Sequence, residues 1–398
     1  MLSDVMASCD DVRENVKKYY GSRLESSGDL QTSAASCSLP CRPPPRSVMD
    51  ALSLVHPEVT KKFFGCGLSF PAKLEGCRVL DLGSGSGRDC YAFSKLVGPD
   101  GHVTGVDMTE ELITASRQYI EYHQKKFDYE KPNIEFVQGY MEKLGDAGIR
   151  SDSVDVVLSN CVICLCPDKR AVLQQAYNVL KEGGELYFSD MYASKVVPDH
   201  MRDDPVLWGK TTNLKVIVKE LIRCTADRPY PSVCLFDFSR PGEGMGGSLF
   251  WKDLISLAHS VGFGTPHLVS ASHIEIYNSE LKEKAGDVSF ASGTYRLFKL
   301  PKSPAVSEAT VTYKGTVGDF PDQLDFDSSH CFKKDVAVAV NGEMAAILQR
   351  SRFSPDFKIQ VSDQQSDSEA TTQYCHLNPF LLADKLGSSV KQCSKTSK

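Results

Sequence analysis

From residue 76 onward, short runs of β-branched and apolar residues alternate with amphipathic segments. The runs cover residues 78–82, 103–107, 134–138, 154–159 and 185–190. Such strand-helix-strand repetition predicts a doubly wound α/β fold, with a mostly parallel sheet and helices on both of its faces. Two later apolar runs, at 265–276 and 290–300, predict further strands at one edge of that sheet.

The segments before and after this region have different patterns. In residues 1–75, apolar and aromatic residues recur at helical spacing before a stretch rich in Ser and Pro, so we expect a helical and loop extension. Residues 76–300 are the expected core. Residues 301–360 predict a small strand-rich C-terminal domain, whereas the Ser, Gln, Asp and Lys content of 361–398 predicts a disordered tail.

Composition excludes several classes of protein. Of the 398 residues, 41% are hydrophobic and 24% charged, which excludes a collagen, a coiled coil or a wholly disordered chain. The net charge of −6 disfavours a nucleic-acid or anionic-membrane partner. The sequence shows no apolar signal segment and no run of 18 apolar residues, so we expect a cytosolic protein. A monomer is a separate expectation. Cytosolic thiols stay reduced, so the 14 Cys are available as ligands or reactants.

The most specific motif is a glycine-rich turn after the first predicted strand. That strand carries Asp81 near its end, and Gly83, Gly85 and Gly87 then alternate with serines before a predicted helix. Glycines at this place let a ligand approach the backbone at a helix N-terminus. Because the spacing is G-x-G-x-G, with Cys90 at the place of the third glycine of dinucleotide folds, the turn resembles motif I of class I methyltransferases, which bind S-adenosylmethionine.

The resemblance extends to the ends of later strands. Asp107 ends the second strand, where its carboxylate can accept hydrogen bonds from both hydroxyls of a ribose. Residues 140–142 follow the third strand, from which this superfamily contacts adenine. The candidate cofactor-binding residues are Asp81, Gly83, Ser84, Gly85, Gly87, Asp107, Met108, Tyr140, Met141, Glu142 and Asn160. Two alternatives stay open, a dinucleotide-binding fold and a doubly wound domain that binds no nucleotide.

Cysteines follow the fourth predicted strand, at the edge of the sheet where ligands of α/β folds bind. The segment 159–167 lacks the Pro-Pro-Tyr or Pro-Pro-Phe of methyltransferases that act on nitrogen, and Cys161 stands there instead, which indicates a soft methyl acceptor. Other thiols are expected to pack as small hydrophobes, namely Cys77, Cys90, Cys164 and Cys166. A zinc site is an alternative, with Cys37, Cys41, Cys161 and Cys164 as its ligands.

Several segments look like the arsenite methyltransferases of animals. They are residues 19–21, 64–68, 82–89, 102–109, 139–144, 159–163 and 183–190. The resemblance implies that thiolates hold trivalent arsenic, a soft centre, and that its lone pair takes the methyl group of S-adenosylmethionine without a general base. It assigns catalysis and arsenic binding to Cys37, Cys66 and Cys161, with Cys161 as a direct ligand. It further implies that Cys66 and Cys161 form a disulfide as arsenic is re-reduced, and that thioredoxin or glutathione restores the thiols.

The chain departs from this family after the fifth predicted strand. An insertion of 33 residues, 210–242, interrupts the pattern of the family. Gly244 then stands where the family has its fourth cysteine, another arsenic ligand in the resemblance. This loss predicts impaired activity. The insertion contains an amphipathic helical stripe, and Cys224 or Cys234 could replace the missing ligand.

Two other functions stay open. A methyltransferase of another small molecule, such as a quinone or a sterol, would keep the glycine turn but would not need Cys66 and Cys161. Substitution of either cysteine by serine discriminates this alternative, because carbon or oxygen methylation would survive it. A protein that binds cofactor or arsenic through its thiols without turnover would be consistent with Gly244.

Overall fold

Helices and strands alternate through the part of the chain that the computed structural model describes, which is residues 9–18, 20, 44–63, 65, 67, 69–202, 244–301, 308–361 and 374–393. The helices are α1 (Cys9–Lys18), α2 (Arg46–Ser53), α3 (Pro57–Lys61), α4 (Arg88–Val97), α5 (Glu110–Arg117), α6 (Ile120–Lys126), α7 (Lys169–Val179), α8 (Asp199–Arg202), α9 (Trp251–Val261), α10 (Ser279–Ala285), α11 (Gly342–Arg350) and α12 (Pro379–Cys393). None of these helices is long and apolar enough to cross a membrane.

The strands are β1 (Arg78–Leu82), β2 (His102–Asp107), β3 (Ile134–Gln138), β4 (Val154–Asn160), β5 (Leu180–Ala193), β6 (Leu249–Phe250), β7 (His267–Ile274), β8 (Phe290–Phe298), β9 (Ala309–Tyr313), β10 (Gln323–Asp325), β11 (Cys331–Lys333), β12 (Ala337–Val340) and β13 (Phe357–Val361). Several predicted features lie outside the described residues, namely Cys37, Cys41, Cys66 and the insertion with Cys224 and Cys234.

The central sheet has the strand order β3-β2-β1-β4-β5-β8-β7. Strands β1 to β5 are parallel, whereas β8 runs antiparallel to β5 and β7 antiparallel to β8. The predicted mostly parallel sheet is therefore confirmed, and the two late apolar runs form its edge. The order reverses between β1 and β4, and α/β folds bind their ligands beyond the carboxyl ends of the strands at such a point.

Apolar side chains cover both faces of the sheet. In β1, Leu80 belongs to the buried cluster that includes Leu173 of α7 and Leu254 of α9, while Val79 belongs to the cluster that includes Phe93 of α4. Neighbouring residues of a strand point to opposite faces, so one strand supplies both clusters. Burial on both faces explains why these strands read as nearly continuous apolar runs.

A buried ion cluster connects the sheet to the C-terminal region. Arg296 of β8 donates two hydrogen bonds to the Glu185 carboxylate of β5, at 3.1 and 2.9 Å, and Arg352 donates another. Arg352 also donates to the carbonyl oxygen of Ala72, at 3.1 and 2.9 Å. Burial alone would raise the pKa of Glu185, but the charges of Arg296 and Arg352 outweigh it, so the pKa is lowered and the carboxylate stays ionised.

The C-terminal region has its own small sheet and core. Strand β9 pairs antiparallel with β12 and β13, and residues of α11 such as Ile347 pack against Phe326 and Phe353. Asp327 accepts hydrogen bonds from His267, at 2.7 Å, and from His330. Burial would raise the pKa of Asp327, but these hydrogen bonds outweigh it and hold the pKa well below its usual range.

The expected disordered tail needs a correction, because the structure has a short helical turn at Tyr374–Leu377 and then helix α12 within it. Helix α12 packs on β7, with Ala383 buried and Asp384 accepting a hydrogen bond from His273 at 2.7 Å. Asn378 precedes the helix, and its side chain accepts a hydrogen bond from the amide of Phe380 at 3.0 Å. The polar composition of the whole tail hid this capped apolar segment, because the prediction averaged over 361–398.

Candidate functional site

The glycine turn joins β1 to α4 and is fastened to β2. The amides of Gly83 and Ser84 both donate to the carbonyl oxygen of Val106, at 2.8 and 3.0 Å. Gly83 has φ +70° and Gly87 has φ +87°, values that side chains other than glycine rarely adopt. A Cβ atom on Gly83 would also lie 2.6 Å from Val162. Because Gly87 offers no side-chain cap, the first amides of α4 keep their donors available at the sheet edge.

Asp107 stands at the end of β2 beside this turn. Its two carboxylate oxygens accept hydrogen bonds from the amides of Gly85, at 2.9 Å, and Thr109, at 2.8 Å. Burial raises the pKa of Asp107, and these amide bonds act in the opposite direction. Both oxygens of the carboxylate are therefore fixed between the glycine turn and the residues that precede α5.

Asp81 lies deeper in the same site. Its carboxyl oxygen accepts a hydrogen bond from the thiol of Cys90 at 3.0 Å, and the residue is only 5% exposed. Burial, followed by the charge of Asp89, raises the pKa of Asp81 to about 8, and Asp107 acts in the same direction. Arg88 and the Cys90 hydrogen bond oppose the shift. The carboxyl of Asp81 is therefore mainly protonated at neutral pH.

This pKa leads to a prediction about stability. An unfolded aspartate ionises near pH about 3.9, whereas folded Asp81 keeps its proton until pH about 8. The Asp81 contribution to the free energy of unfolding should therefore fall as the pH rises from 4 to 8, and level off above 8. Since Asp81→Asn removes this titration, its stability advantage over the natural chain should grow between pH 6 and pH 8. Urea unfolding at both pH values measures it, and a pH-independent difference would contradict the shift.

The turn, Asp81 and Asp107 line one cleft. Its empty space, including open solvent at the mouth, is about 780 Å³. The cleft is lined by Val16, Tyr20, Lys62, Phe63, Gly65, Asp81, Gly83, Ser84, Gly85, Ser86, Arg88, Asp89, Asp107, Met108, Thr109, Leu112, Met141, Asn160, Cys161, Val162 and Leu165. Most of the candidate cofactor residues thus meet in one cavity. Gly87 is not among the lining residues, and a Cβ there would lie 2.6 Å from Phe136.

Helix α1 closes one side of the cleft. Arg13 donates hydrogen bonds to the Glu142 carboxylate at 3.2 and 3.0 Å, and Lys17 donates to the Tyr140 hydroxyl at 2.7 Å. The structure thus places the side chains of Tyr140 and Glu142 against α1, whereas Met141 lines the cleft. The helical spacing in the first residues predicts a helix but not its closure over the cleft.

Asn160, at the end of β4, holds the segment that precedes the core. Its side-chain amide donates to the carbonyl oxygen of Gly67 and to the Asp89 carboxylate, both at 3.1 Å. A Cβ on Gly65 would lie 2.7 Å from Asn160, so the backbone approaches this side chain closely. Cys66 lies outside the described residues, but the glycines on either side of it are next to Asn160.

Cys161 lines the cleft directly after Asn160. It is disulfide-bonded, and its partner sulfur lies outside the described residues. Its φ of +61° is unusual for a residue with a side chain, and such backbone strain clusters at functional sites. Its amide donates to the carbonyl oxygen of Ser189 at 2.8 Å, which ties the turn to β5.

The other thiols that were expected to pack as small hydrophobes do so. The structure has Cys77, Cys90, Cys164 and Cys166 free and buried. Cys164 has a special neighbour, however, because Gly244 lies beside it with φ +86°. Burial, with the Asp190 carboxylate next, raises the pKa of the Cys164 thiol well above its usual range. The thiol of Cys164 is therefore protonated at neutral pH.

Comparisons with known proteins agree with this geometry. A family model described as a methyltransferase domain matches residues 73–232, and one described as the arsenite methyltransferase C-terminal domain matches 306–398. Arsenite methyltransferase of Mus musculus is 44% identical over 380 residues, which cover 94% of this chain and 92% of that protein. The Homo sapiens protein is 42% identical over 388 residues, which cover 96% of this chain and 94% of that one.

A solved structure of an arsenic methyltransferase also resembles this chain in fold and sequence. The crystal structure of an arsenic(III) S-adenosylmethionine methyltransferase from Chlamydomonas reinhardtii has a TM-score of 0.68 and 38% sequence identity, and the match covers 80% of this chain and 97% of that one. The resemblance inferred from the sequence is thereby confirmed. The chain belongs to the arsenite methyltransferase family, and its fold is that of a class I S-adenosylmethionine-dependent methyltransferase.

Proposed function

We propose that this chain is an enzyme that transfers methyl groups from S-adenosylmethionine to trivalent arsenic held by cysteine thiolates. The observation that carries the proposal is that Cys161 lines the same cleft as the glycine turn and Asp107. A thiolate suits arsenic(III) because both are soft. The curated relatives that this chain matches over most of its length are arsenite methyltransferases, which supports this acceptor.

The residues of the cleft fit the cofactor. The hydroxyl of Ser84 is buried and has no hydrogen-bond partner among the described residues, and a Cβ on Gly85 would meet nothing within 4 Å. The turn thus offers an unpaired polar group and open space beside Asp107. When bound, S-adenosylmethionine supplies an electrophilic methyl group on a sulfonium. Asp107 would hold the ribose hydroxyls, the turn would approach the amino-acid part closely, and Met141 would lie by the adenine.

The thiols would provide the acceptor side. Cys161 would bind arsenic directly once its disulfide is reduced, and we propose Cys66 as the disulfide partner because Gly65 and Gly67 are next to Asn160. Cys37 would complete the thiol set of the family. We propose thioredoxin or glutathione as the reductant, since the disulfide removes Cys161 from arsenic binding. A cytosolic monomer stays a prediction.

A methylation assay tests the proposal. The reduced chain is incubated with labelled S-adenosylmethionine, arsenite and thioredoxin or glutathione, and methylated arsenicals are separated by chromatography. We expect labelled methylarsenicals, and none without arsenite. Cofactor binding without any labelled arsenical would contradict the proposal and favour a thiol-based binding protein, which the glycine at 244 had left open.

The role of Asp107 gives a further prediction. Asp107→Ala should weaken binding of S-adenosylhomocysteine by about 2 kcal/mol, the scale of a hydrogen bond to a charged group, which is about thirtyfold in Kd. Isothermal titration measures the change. As a matched control, Asp100 lies in the loop before β2 and away from the cleft, so Asp100→Ala should leave the affinity as it is. Equal affinities of Asp107→Ala and the natural chain would refute the ribose role.

A further inference from the structure

Gly244 and Cys164 share one place in the structure. A Cβ atom built on Gly244 would lie 2.7 Å from the sulfur of Cys164 and 3.3 Å from Leu165. Cβ atoms do not approach sulfur so closely, so the sulfur of Cys164 fills the space that a side chain at 244 would enter. Both residues are buried, and Gly244 has a backbone conformation that favours glycine. The absence of a side chain at 244 therefore makes room for the sulfur of Cys164.

Cys164 also lies close to the sulfur of Cys161, the cysteine that lines the cleft. The sulfurs of Cys161 and Cys164 and a carboxylate oxygen of Asp190 all lie within 4.8 Å of one another. Cys164 belongs to the single helical turn Ile163–Leu165, which directly follows the Cys161 segment. Two sulfurs at this separation can converge on one soft centre with only small side-chain movements. Once the disulfide of Cys161 is reduced, Cys161 and Cys164 therefore form a pair of thiols that needs no residue of the insertion.

We propose that Cys164 is a second direct arsenic ligand in this chain, and that it replaces the cysteine that the family carries at position 244. The proposal rests on the proposed function, because it names a ligand for the same substrate. It gives the glycine at 244 a role, since any side chain there would displace the sulfur of Cys164. It also removes the need for a thiol of the insertion.

The binding step balances without a redox partner once Cys161 is reduced. A dithiol reductant opens the disulfide of Cys161 by exchange and leaves with its own disulfide. Arsenite, As(OH)₃, then exchanges two hydroxides for the two sulfurs. Two As–S bonds form and two As–O bonds break, and each thiol proton leaves with a hydroxide as water. Cys164 therefore needs no prior ionisation to bind.

Neighbouring groups hold the Cys164 turn in place. Asp190 accepts hydrogen bonds from the amide of Cys164, at 2.9 Å, and from the amide of Met191, at 2.7 Å. Lys169 donates to the carbonyl oxygens of Cys164, at 3.4 Å, and Cys166, at 2.8 Å. Asp190 and Lys169 thus hold the backbone of the Cys164 turn in place.

Arsenite binding by cysteine variants tests the proposal. The full chain and its Cys164→Ser and Cys164→Ala variants are reduced with a phosphine and dialysed against inorganic arsenite. We expect both variants to bind arsenite at least about tenfold more weakly. Removal of an outer-shell partner already weakens metal binding by roughly 10–100-fold, and Cys164 is proposed as a direct ligand. X-ray absorption spectra at the arsenic edge should show one sulfur ligand fewer in the variants than in the natural chain. Cys166→Ser is the matched control, because Cys166 is also free and buried, and it should bind like the natural chain.

Binding of S-adenosylhomocysteine verifies that each variant is folded. Alkylation of the natural chain is a second test of the arsenic ligand. In the reduced natural chain, bound arsenite should slow alkylation of Cys164 at least about tenfold, whereas Cys166 should react at an unchanged rate; tenfold corresponds to 1.36 kcal/mol. Unchanged arsenite affinity in Cys164→Ser, or equal alkylation of Cys164 with and without arsenite, would overturn the inference. If the natural chain binds no arsenite, the proposed function itself is wrong. If it binds and methylates arsenite and Cys164 proves irrelevant, only this inference is wrong.

Discussion

Replacement of Cys161 by serine is expected to abolish arsenite methylation. Cys161 is the cysteine that lines the cleft beside the glycine turn, so its loss removes the ligand that, once reduced, would present arsenic to the methyl donor. We expect kcat/KM to fall by more than about 100-fold, since even outer-shell partners of metal sites cost 10–100-fold. Steady-state assays of labelled methylarsenical formation measure this fall.

Cys166→Ser is the matched control for this prediction. Cys166 belongs to the same segment, is free and buried, and lies 3.3 Å from the sulfur of Met141. It should keep the activity of the natural chain. Both variants should bind S-adenosylhomocysteine as the natural chain does, because neither side chain bonds to the glycine turn or Asp107. Equal activity of Cys161→Ser and Cys166→Ser would contradict the role of Cys161 as an arsenic ligand and favour a carbon or oxygen methyltransferase.

The substitution Glu185→Gln should destabilise the protein by about 3–5 kcal/mol, the cost of breaking a buried ion pair by removing one partner. Glu185 is fully buried and accepts hydrogen bonds from Arg296 and Arg352, whose guanidinium groups would lose their counter-charge. Since the pKa of folded Glu185 is lowered, its contribution is present above pH about 4.3, the usual value of the group, and is lost in more acidic solution. Urea unfolding at pH 7 measures the difference.

A surface pair in the same strand provides the control. Glu182 lies 3.8 Å from Arg350, and both side chains are about half exposed. Glu182→Gln should change the free energy of unfolding by less than about 0.5 kcal/mol, because solvent screens such pairs. If both variants were equally stable, the buried cluster would not hold the C-terminal region to the sheet. Limited proteolysis of Glu185→Gln should also cleave the C-terminal region faster.

Much of the fold could be predicted because strands and helices have different periods. The first four parallel strands were located to within one residue at either end, since buried runs such as 78–82 are bounded by turn signals, whereas β5 is longer than the predicted run 185–190 at both ends. The antiparallel direction of β8 could not be predicted, because a fully buried strand reads alike in either direction. Helix α12 was missed since a capped apolar segment was averaged with polar neighbours.

The parts of the site that lie at strand ends could be predicted from the spacing of residues in the sequence. The glycine turn and Asp107 are each set by a strand end, so their meeting in one cleft follows from the topology. The positions of Val16 and Tyr20 in that cleft depend on the docking of a helix from far away in sequence. The neighbourhood of Cys164 and Gly244 could not be predicted either, because 80 positions separate them and only tertiary packing brings them together.

A single-turnover assay tests most directly the central claim, that a chain with glycine at 244 still methylates arsenic. The reduced protein, in excess over labelled S-adenosylmethionine, is mixed with arsenite and quenched at intervals, and the label in arsenicals is counted. We expect most of the label to move to arsenic in one turnover, and Cys161→Ser to transfer none. If the natural chain binds both arsenite and cofactor and yet leaves the label on the cofactor, the chain is a thiol-based binding protein and the account is wrong.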